Sequence, residues 1–187
     1  MKLDLSELPD GVELFDALRG GKHIDQEEGK LYFGLAQHFE TFQALFGYLG
    51  FELRRHERGF YYFEGSGASA SLGKRARQFS VFFFVFVDAL SEEGESAVES
   101  LFRVKGHRIS ELPHFERARH RECLKEVGLE NEEDLEDLIK SMERYNLVVR
   151  TGAGEFRFRD PAWRFLELCY AYAEMGEEQD ERGGEEG

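Results

Sequence analysis

With 187 residues, 21.7 kDa and a net charge of −14, the chain can bury about 70% of its unfolded surface and needs no metal or disulfide staple. Hydrophobic residues are 41% and charged residues 33%, a globular composition rather than a disordered one. The acidity excludes a simple basic DNA-coating protein. The longest apolar stretch, residues 79–90 interrupted by Ser80 and Asp88, is too short to span a bilayer.

In chain order, Ser6 is expected to cap a helix reaching residue 19, where Gly20-Gly21 break it. A short extended piece at His23-Ile24 and a second helix follow. Phe39, Phe42, Phe46 and Leu49 then mark one face of a third helix. Phe51 and Leu53 alternate as a half-buried strand, residues 56–59 turn, and Phe60 and Tyr62 return with period two. Gly65 and the small residues after it read as a linker over 65–73. A Phe-rich helix is expected over residues 74–90. A short piece at Arg108-Ile109 comes next, and then a helix begun by Ser110 and Pro113 and ending near Val127. Asn131 caps the following helix. Asp160-Pro161 opens a last helix carrying Trp163, Phe165, Leu166, Cys169, Tyr170 and Tyr172, apolar around most of its circumference. From Glu174 onward seven acidic residues and one Arg form an acidic tail.

A shift of 96 residues superposes the two halves of this pattern. Phe39, Phe42, Phe46 and Leu49 fall on Leu135, Leu138, Met142 and Tyr145. Phe51, Leu53 and Arg54 fall on Leu147, Val149 and Arg150, and Phe60 and Tyr62 on Phe156 and Phe158. Helix, short strand, helix, helix and two-stranded wing is the winged-helix order. The expected fold is therefore mainly α with small β-hairpins, as tandem winged-helix domains. The boundaries are 1–64, a Gly/Ser linker at 65–73, 74–175, and a disordered acidic tail at 176–187.

Seven consecutive apolar residues at 81–87 exceed one helix face, so a dimer or partner interface and simple core are both open. The interface candidates are Phe82, Phe83, Phe86, Trp163, Phe165 and Tyr170.

Catalytic patterns are decoys. Residues 65–70 satisfy G-x-G-x-x-A, but the preceding strand belongs to a hairpin and no βαβ series follows. Residues 67–74 miss a P-loop, with Ala68 and Arg75 where Gly and Ser or Thr are needed. His114, His120 and Cys123 fit no standard zinc spacing. No nucleophile elbow is present. We expect no enzyme, cofactor or metal.

Neither helix preceding a hairpin suits base reading. Outside its apolar face the second presents Glu132, Glu133, Asp134, Glu136, Asp137 and Glu143 against Lys140 and Arg144, and the first is nearly free of positive charge. Basic residues lie elsewhere: Arg54, Arg55 and Arg58 in the first wing; Arg150, Arg157 and Arg159 in the second; Lys74, Arg75 and Arg77 after the linker; and Arg117, Arg119 and Arg121 on a helix. If DNA is bound, these are the candidates, through backbone contacts without sequence readout. Otherwise the domains bind protein. Two cysteines, Cys123 and Cys169, and a start without an apolar signal core point to the cytoplasm.

The stretch Arg58-Gly59-Phe60-Tyr61-Tyr62-Phe63, residues 45–53 before it, the apolar helix after the linker, and Phe156-Arg157-Phe158 leading into Trp163 together resemble MksE. That family is the kite accessory subunit of MukBEF-like bacterial condensins, and the resemblance spans roughly residues 3–173. It implies a homodimer of tandem winged-helix protomers that binds a kleisin (MksF-like) and, through it, an SMC ATPase (MksB-like). It also implies double-stranded DNA contact without sequence preference, in chromosome organisation or plasmid defence, with no catalysis and a place near the nucleoid. The alternative is a winged-helix transcriptional regulator.

Overall fold

Helix α1 (Gly11–Arg19) opens the fold, with Leu14 and Leu18 buried four residues apart on its inner face. The structure is a computed structural model that describes residues 8, 10–64 and 70–171. Ser6, residues 65–69 of the expected linker and the acidic tail lie outside these described residues. After α1 the chain passes through Ile24, whose backbone pairs with Tyr61. Helices α2 (Lys30–Gln37) and α3 (Phe39–Tyr48) follow, then the hairpin of β1 (Glu52–Arg55) and β2 (Tyr61–Glu64).

The second half repeats this order on a larger scale. Helix α4 (Ala70–Glu92) leads to the short α5 (Ala97–Leu101) and to β3 (His107–Arg108). Helices α6 (Ala118–Glu126) and α7 (Glu132–Arg144) precede β4 (Val148–Gly152) and β5 (Glu155–Phe158). The sheet order is β3–β5–β4, all antiparallel. In the first half the Ile24 bridge to β2 produces the same arrangement with a one-residue first strand. A 3-10 turn (Asp160–Ala162) then leads into α8, described over residues 163–171. The molecule is mainly helical with small hairpins, as its periodicities predict.

The helix repeat holds at a shift of 96. Leu49 and Tyr145 cap α3 and α7 with the same backbone angles, φ −86 and ψ 0. Gly50 and Asn146 next to them both take the left-handed conformation. Phe51 N–H donates to the Phe46 carbonyl and Leu147 N–H to that of Met142, at 2.9 Å in both halves, the closure of a Schellman-type cap. The hairpins superpose at 95 instead. Leu53 opposite Phe63 matches Val148 opposite Phe158. The core-facing residues of β2 are thus Tyr61 and Phe63, not Phe60 and Tyr62, a one-residue correction that exchanges the faces of the strand.

Three other expectations change. Helix α4 begins at Ala70, so its first turns occupy part of the expected linker. Helix α5 was not foreseen; Ser96 caps it by accepting from the Glu99 N–H at 3.4 Å. The helix expected from Ser110 begins instead as two 3-10 turns, Ile109–Glu111 and Pro113–Phe115, before α6 starts at Ala118. Pro113 has no N–H to donate, so a turn that must bend there cannot continue as α-helix. Asn131 caps α7 as expected, in a reciprocal capping box with Asp134.

Each half has its own core. Leu14, Ile24, Leu35, Phe42, Phe46 and Tyr61 fill the first. The second is built around α4, which packs against α5, α6, α7 and the Pro113–Phe115 turn. Phe82 and Phe83 are wholly buried and Phe86 nearly so. Their rings meet Phe158, Phe165 and His114 of the same chain. The seven-residue apolar run is therefore helix and mostly core. Phe82, Phe83, Phe86 and Phe165 are corrected from interface candidates to internal packing, because rings with almost no accessible surface cannot reach a partner. Phe84 is the exception in the run, at 48% exposure. Trp163 is half-buried and Tyr170 is exposed.

Candidate functional site

The two halves meet along a polar and aromatic seam whose origin lies in β2. That strand carries aromatic residues on both faces. Tyr61 and Phe63 enter the first core, while Tyr62 on the opposite face meets Arg164 of the second half and has the Phe60 ring 6.0 Å away. His56 stacks on Phe60 with centroids 4.3 Å apart. The Arg164 guanidinium of α8 lies 4.0 Å over the Tyr62 ring, and Arg58 lies 3.5 Å over that of Trp163. Cation–π contacts of this kind hold charge against an apolar wall without desolvating it fully.

Polar contacts complete the seam. His23 N–H donates to the Tyr145 carbonyl at 3.1 Å, and Asn146 Nδ2 donates to the His23 carbonyl at 2.9 Å. The loop after α1 therefore docks on the C-terminus of α7. Arg159 donates to Asp25 Oδ1 at 2.5 Å, both side chains being only 12% exposed. Burial raises the Asp25 carboxyl above its ordinary range, and the Arg159 charge opposes the rise. His56 Nε2 reaches Glu167 at 3.0 Å.

The candidate cations divide sharply when traced individually. Arg54 is held by Glu52 at 2.5 Å and Glu64 at 2.7 Å, and Arg150 by Glu143 at 2.8 Å. Arg119 binds Asp88 at 2.6 Å and also Glu92, and Arg117 binds Glu92. Arg121 donates to the carbonyls of Phe115 and Glu116. Arg58 covers Trp163, with Asp160 3.9 Å away. Arg159 is corrected from a surface cation to a buried clamp between the halves. Arg55, Lys74, Arg75, Arg77 and Arg157 have no carboxylate partner among the described residues. Patterning from charge alone could not separate these classes, because the partnering acids are brought in by tertiary structure.

Helix α7 shows a solvent face of Glu132, Glu133, Glu136 and Asp137, and Lys140 is bound to two of them. It cannot lie in a major groove without placing carboxylates beside phosphates. The buried histidines serve packing. His114 Nε2 faces the Phe82 carbonyl at 3.1 Å, and burial lowers its pKa to about 3; burial likewise lowers that of His23 to about 3. His120 Nε2 reaches Asp88 at 2.7 Å. Among the described residues no group of three His, Cys, Asp or Glu side chains could hold a metal ion. No described helix is long and apolar enough to cross a membrane.

The described residues thus form two repeated helix–hairpin halves joined by a seam, with acids on the second helix that precedes a hairpin and histidines held in packing. A family model supplies the assignment: the model for the condensin complex protein MksE matches residues 12–170. The match runs through both halves and the seam, and the chain belongs to the MksE family, as a condensin accessory subunit. Comparison with curated proteins finds no match.

Proposed function

We propose that the chain is the non-enzymatic accessory subunit of a bacterial SMC–kleisin complex. In this reading each half is a winged-helix domain, with boundaries near 1–64 and 74–175, and two chains form a homodimer. The dimer binds an MksF-like kleisin and, through it, an MksB-like SMC ATPase. The assembly works in the cytoplasm at the nucleoid, in chromosome organisation or plasmid defence, and this subunit adds DNA contact without sequence readout.

The observation that carries the reading is the MksE match over residues 12–170. The acidic face of α7 and the face of α3, which carries Glu40 and no basic residue, support it, since both disfavour base reading by the helices that would enter a groove. The test is purification of the tagged full-length chain from its native host at moderate salt, followed by mass spectrometry. Stoichiometric recovery of a long coiled-coil ATPase and a kleisin-like protein is the expected result. Recovery of a clean dimer alone would overturn the reading and favour a transcriptional regulator.

A further inference from the structure

Among the described residues, the start of α4 and the end of α7 bring cations together in a cleft without acids. A cleft of about 410 Å³ between the start of α4 and the end of α7 is lined by Gly20, Lys74, Arg75, Ser141, Arg144 and Tyr145. No carboxylate stands among these lining residues. Arg75 donates to Gln78 Oε1 at 2.8 Å, and Arg144 donates to Ser141 Oγ at 3.1 Å. Both guanidiniums are thus positioned by neutral acceptors, which fix them without cancelling their charge. Gln78 is itself buried and anchored on the Val127 carbonyl at 2.9 Å, and Ser141 is wholly buried. Lys74 and Arg77, three residues apart on α4, stand on one face of that helix. Asp16, next to the Gly20 turn, is met by Arg19 at 3.9 Å.

The contrast with the rest of the surface is what gives the cleft meaning. Arg54, Arg117, Arg119 and Arg150 are all engaged by carboxylates. The cleft of about 280 Å³ at the seam sets Arg58, Arg157 and Arg159 against Asp25, Glu27 and Asp160. In a chain of net charge −14, a cleft lined by Lys74, Arg75 and Arg144 and by no carboxylate is complementary to an anion. Guanidinium forks held in place match phosphate oxygens.

We infer that this cleft, through Lys74, Arg75 and Arg144, seats the phosphodiester backbone of duplex DNA. This deepens the proposed function and rests on its DNA-contact reading. It adds Arg144, which charge patterning does not select because it lies in the last turn of an acidic helix. It also removes the carboxylate-bound arginines of the hairpins from the contact set.

The test is fluorescence anisotropy of labelled random-sequence duplex with the full-length chain at about 50 mM salt, where phosphate contacts are strongest. Lys74→Glu/Arg144→Glu is expected to weaken binding by about tenfold or more, and the milder Lys74→Gln/Arg144→Gln to flatten the salt dependence by about 0.9 log units per lost contact. Arg54→Glu is expected to change the affinity less than twofold. Unchanged far-UV circular dichroism and melting temperature establish folding, and the glutamine pair serves if the glutamate pair melts early. Equal loss from Arg54→Glu, no loss from the cleft pair, or no duplex binding would overturn the inference. Occupancy by inorganic phosphate or by a peptide of residues 174–187, without duplex, would also overturn it. Recovery of the kleisin and ATPase with the cleft variants separates the two readings. If they co-purify and DNA binding persists, the cleft assignment fails and the complex stands. If they are absent and the cleft pair still abolishes duplex binding, the complex fails and the cleft stands.

Discussion

The two halves share one plan and spend their hairpins differently. In the second half β5 follows simple alternation, Phe156 and Phe158 buried and Arg157 exposed. In the first, Phe60 and Tyr61 are both wholly or almost wholly buried, though they lie on opposite faces. A hairpin with one apolar face needs one core; a hairpin with two needs a core and a neighbour. The aromatic residues of the first hairpin therefore draw on the second half as well as on their own core, and the seam is the product. The lesson is directional: damage to the second core should propagate to the first, through α8 and β2, more than the reverse.

The largest test of this comparison is acid. Burial lowers the pKa of two histidines to about 3, His23 at the seam and His114 in the second core, and also lowers that of His107 beside Phe156 and Phe158. A folded value below the ordinary 6.5 means that the unfolded chain binds more protons between the two values. Stability is then complete above about pH 6.5 and is lost as pH falls toward 3. Two such groups contribute about 2.7 kcal/mol per pH unit through the middle of that window. His114→Gln keeps a donor for the Phe82 carbonyl while removing one titration. Its stability, from urea unfolding, should fall less steeply with acid by about 1.4 kcal/mol per unit.

Next in size is the core itself. Phe83→Ala removes a wholly buried ring that meets both Phe158 and Phe165, for about 3–5 kcal/mol. If the first half leans on the second, Trp163 emission and far-UV circular dichroism should lose their signals in one shared transition. A first half that survives the loss of the second would break the comparison.

The seam can then be loosened without touching either core. Arg159→Ala leaves Asp25 buried and unpaired, a change of about 3 kcal/mol, at the low end for a buried pair because both side chains keep some exposure. Arg58→Ala removes the guanidinium over Trp163 for about 1 kcal/mol. Trp163 is the only tryptophan, so its emission reports this contact directly and should shift to the red.

Much of this was legible in sequence, and the failures have physical causes. The helix repeat, the Asn131 cap and the hairpin positions follow from period and capping chemistry that depend on near neighbours. The register of the first hairpin did not, because Phe60-Tyr61-Tyr62-Phe63 has no apolar–polar alternation to fix a face. Helix α5 carried a readable signal, Ser96 three residues before Glu99, that its shortness obscured. The charge map was least legible. Arg159 and Arg157 are two residues apart and chemically identical, yet one is clamped by Asp25 across the seam and the other is exposed. Only the tertiary fold distinguishes them.

The smallest effect isolates the difference between the halves at a single backbone position. Gly50 and Asn146 follow α3 and α7 with φ of 82 and 66, a region that Gly and Asn tolerate best. Nothing lies within 4 Å of a Cβ added at Gly50. Gly50→Asn should therefore change stability by only a few tenths of a kcal/mol, while Gly50→Ala, without the local hydrogen bonding of Asn, should lose about 1 kcal/mol. The reciprocal change is not equivalent. Asn146→Gly keeps the backbone angle but deletes the bond from Nδ2 to the His23 carbonyl, leaving that buried acceptor unmet for about 1–2 kcal/mol. Urea midpoints for the three variants test this ordering. If Asn146→Gly proved as mild as Gly50→Asn, Asn146 would serve the left-handed turn after α7 alone, and the docking of the His23 loop would rest on the backbone and ring nitrogens of His23 at the Tyr145 carbonyl.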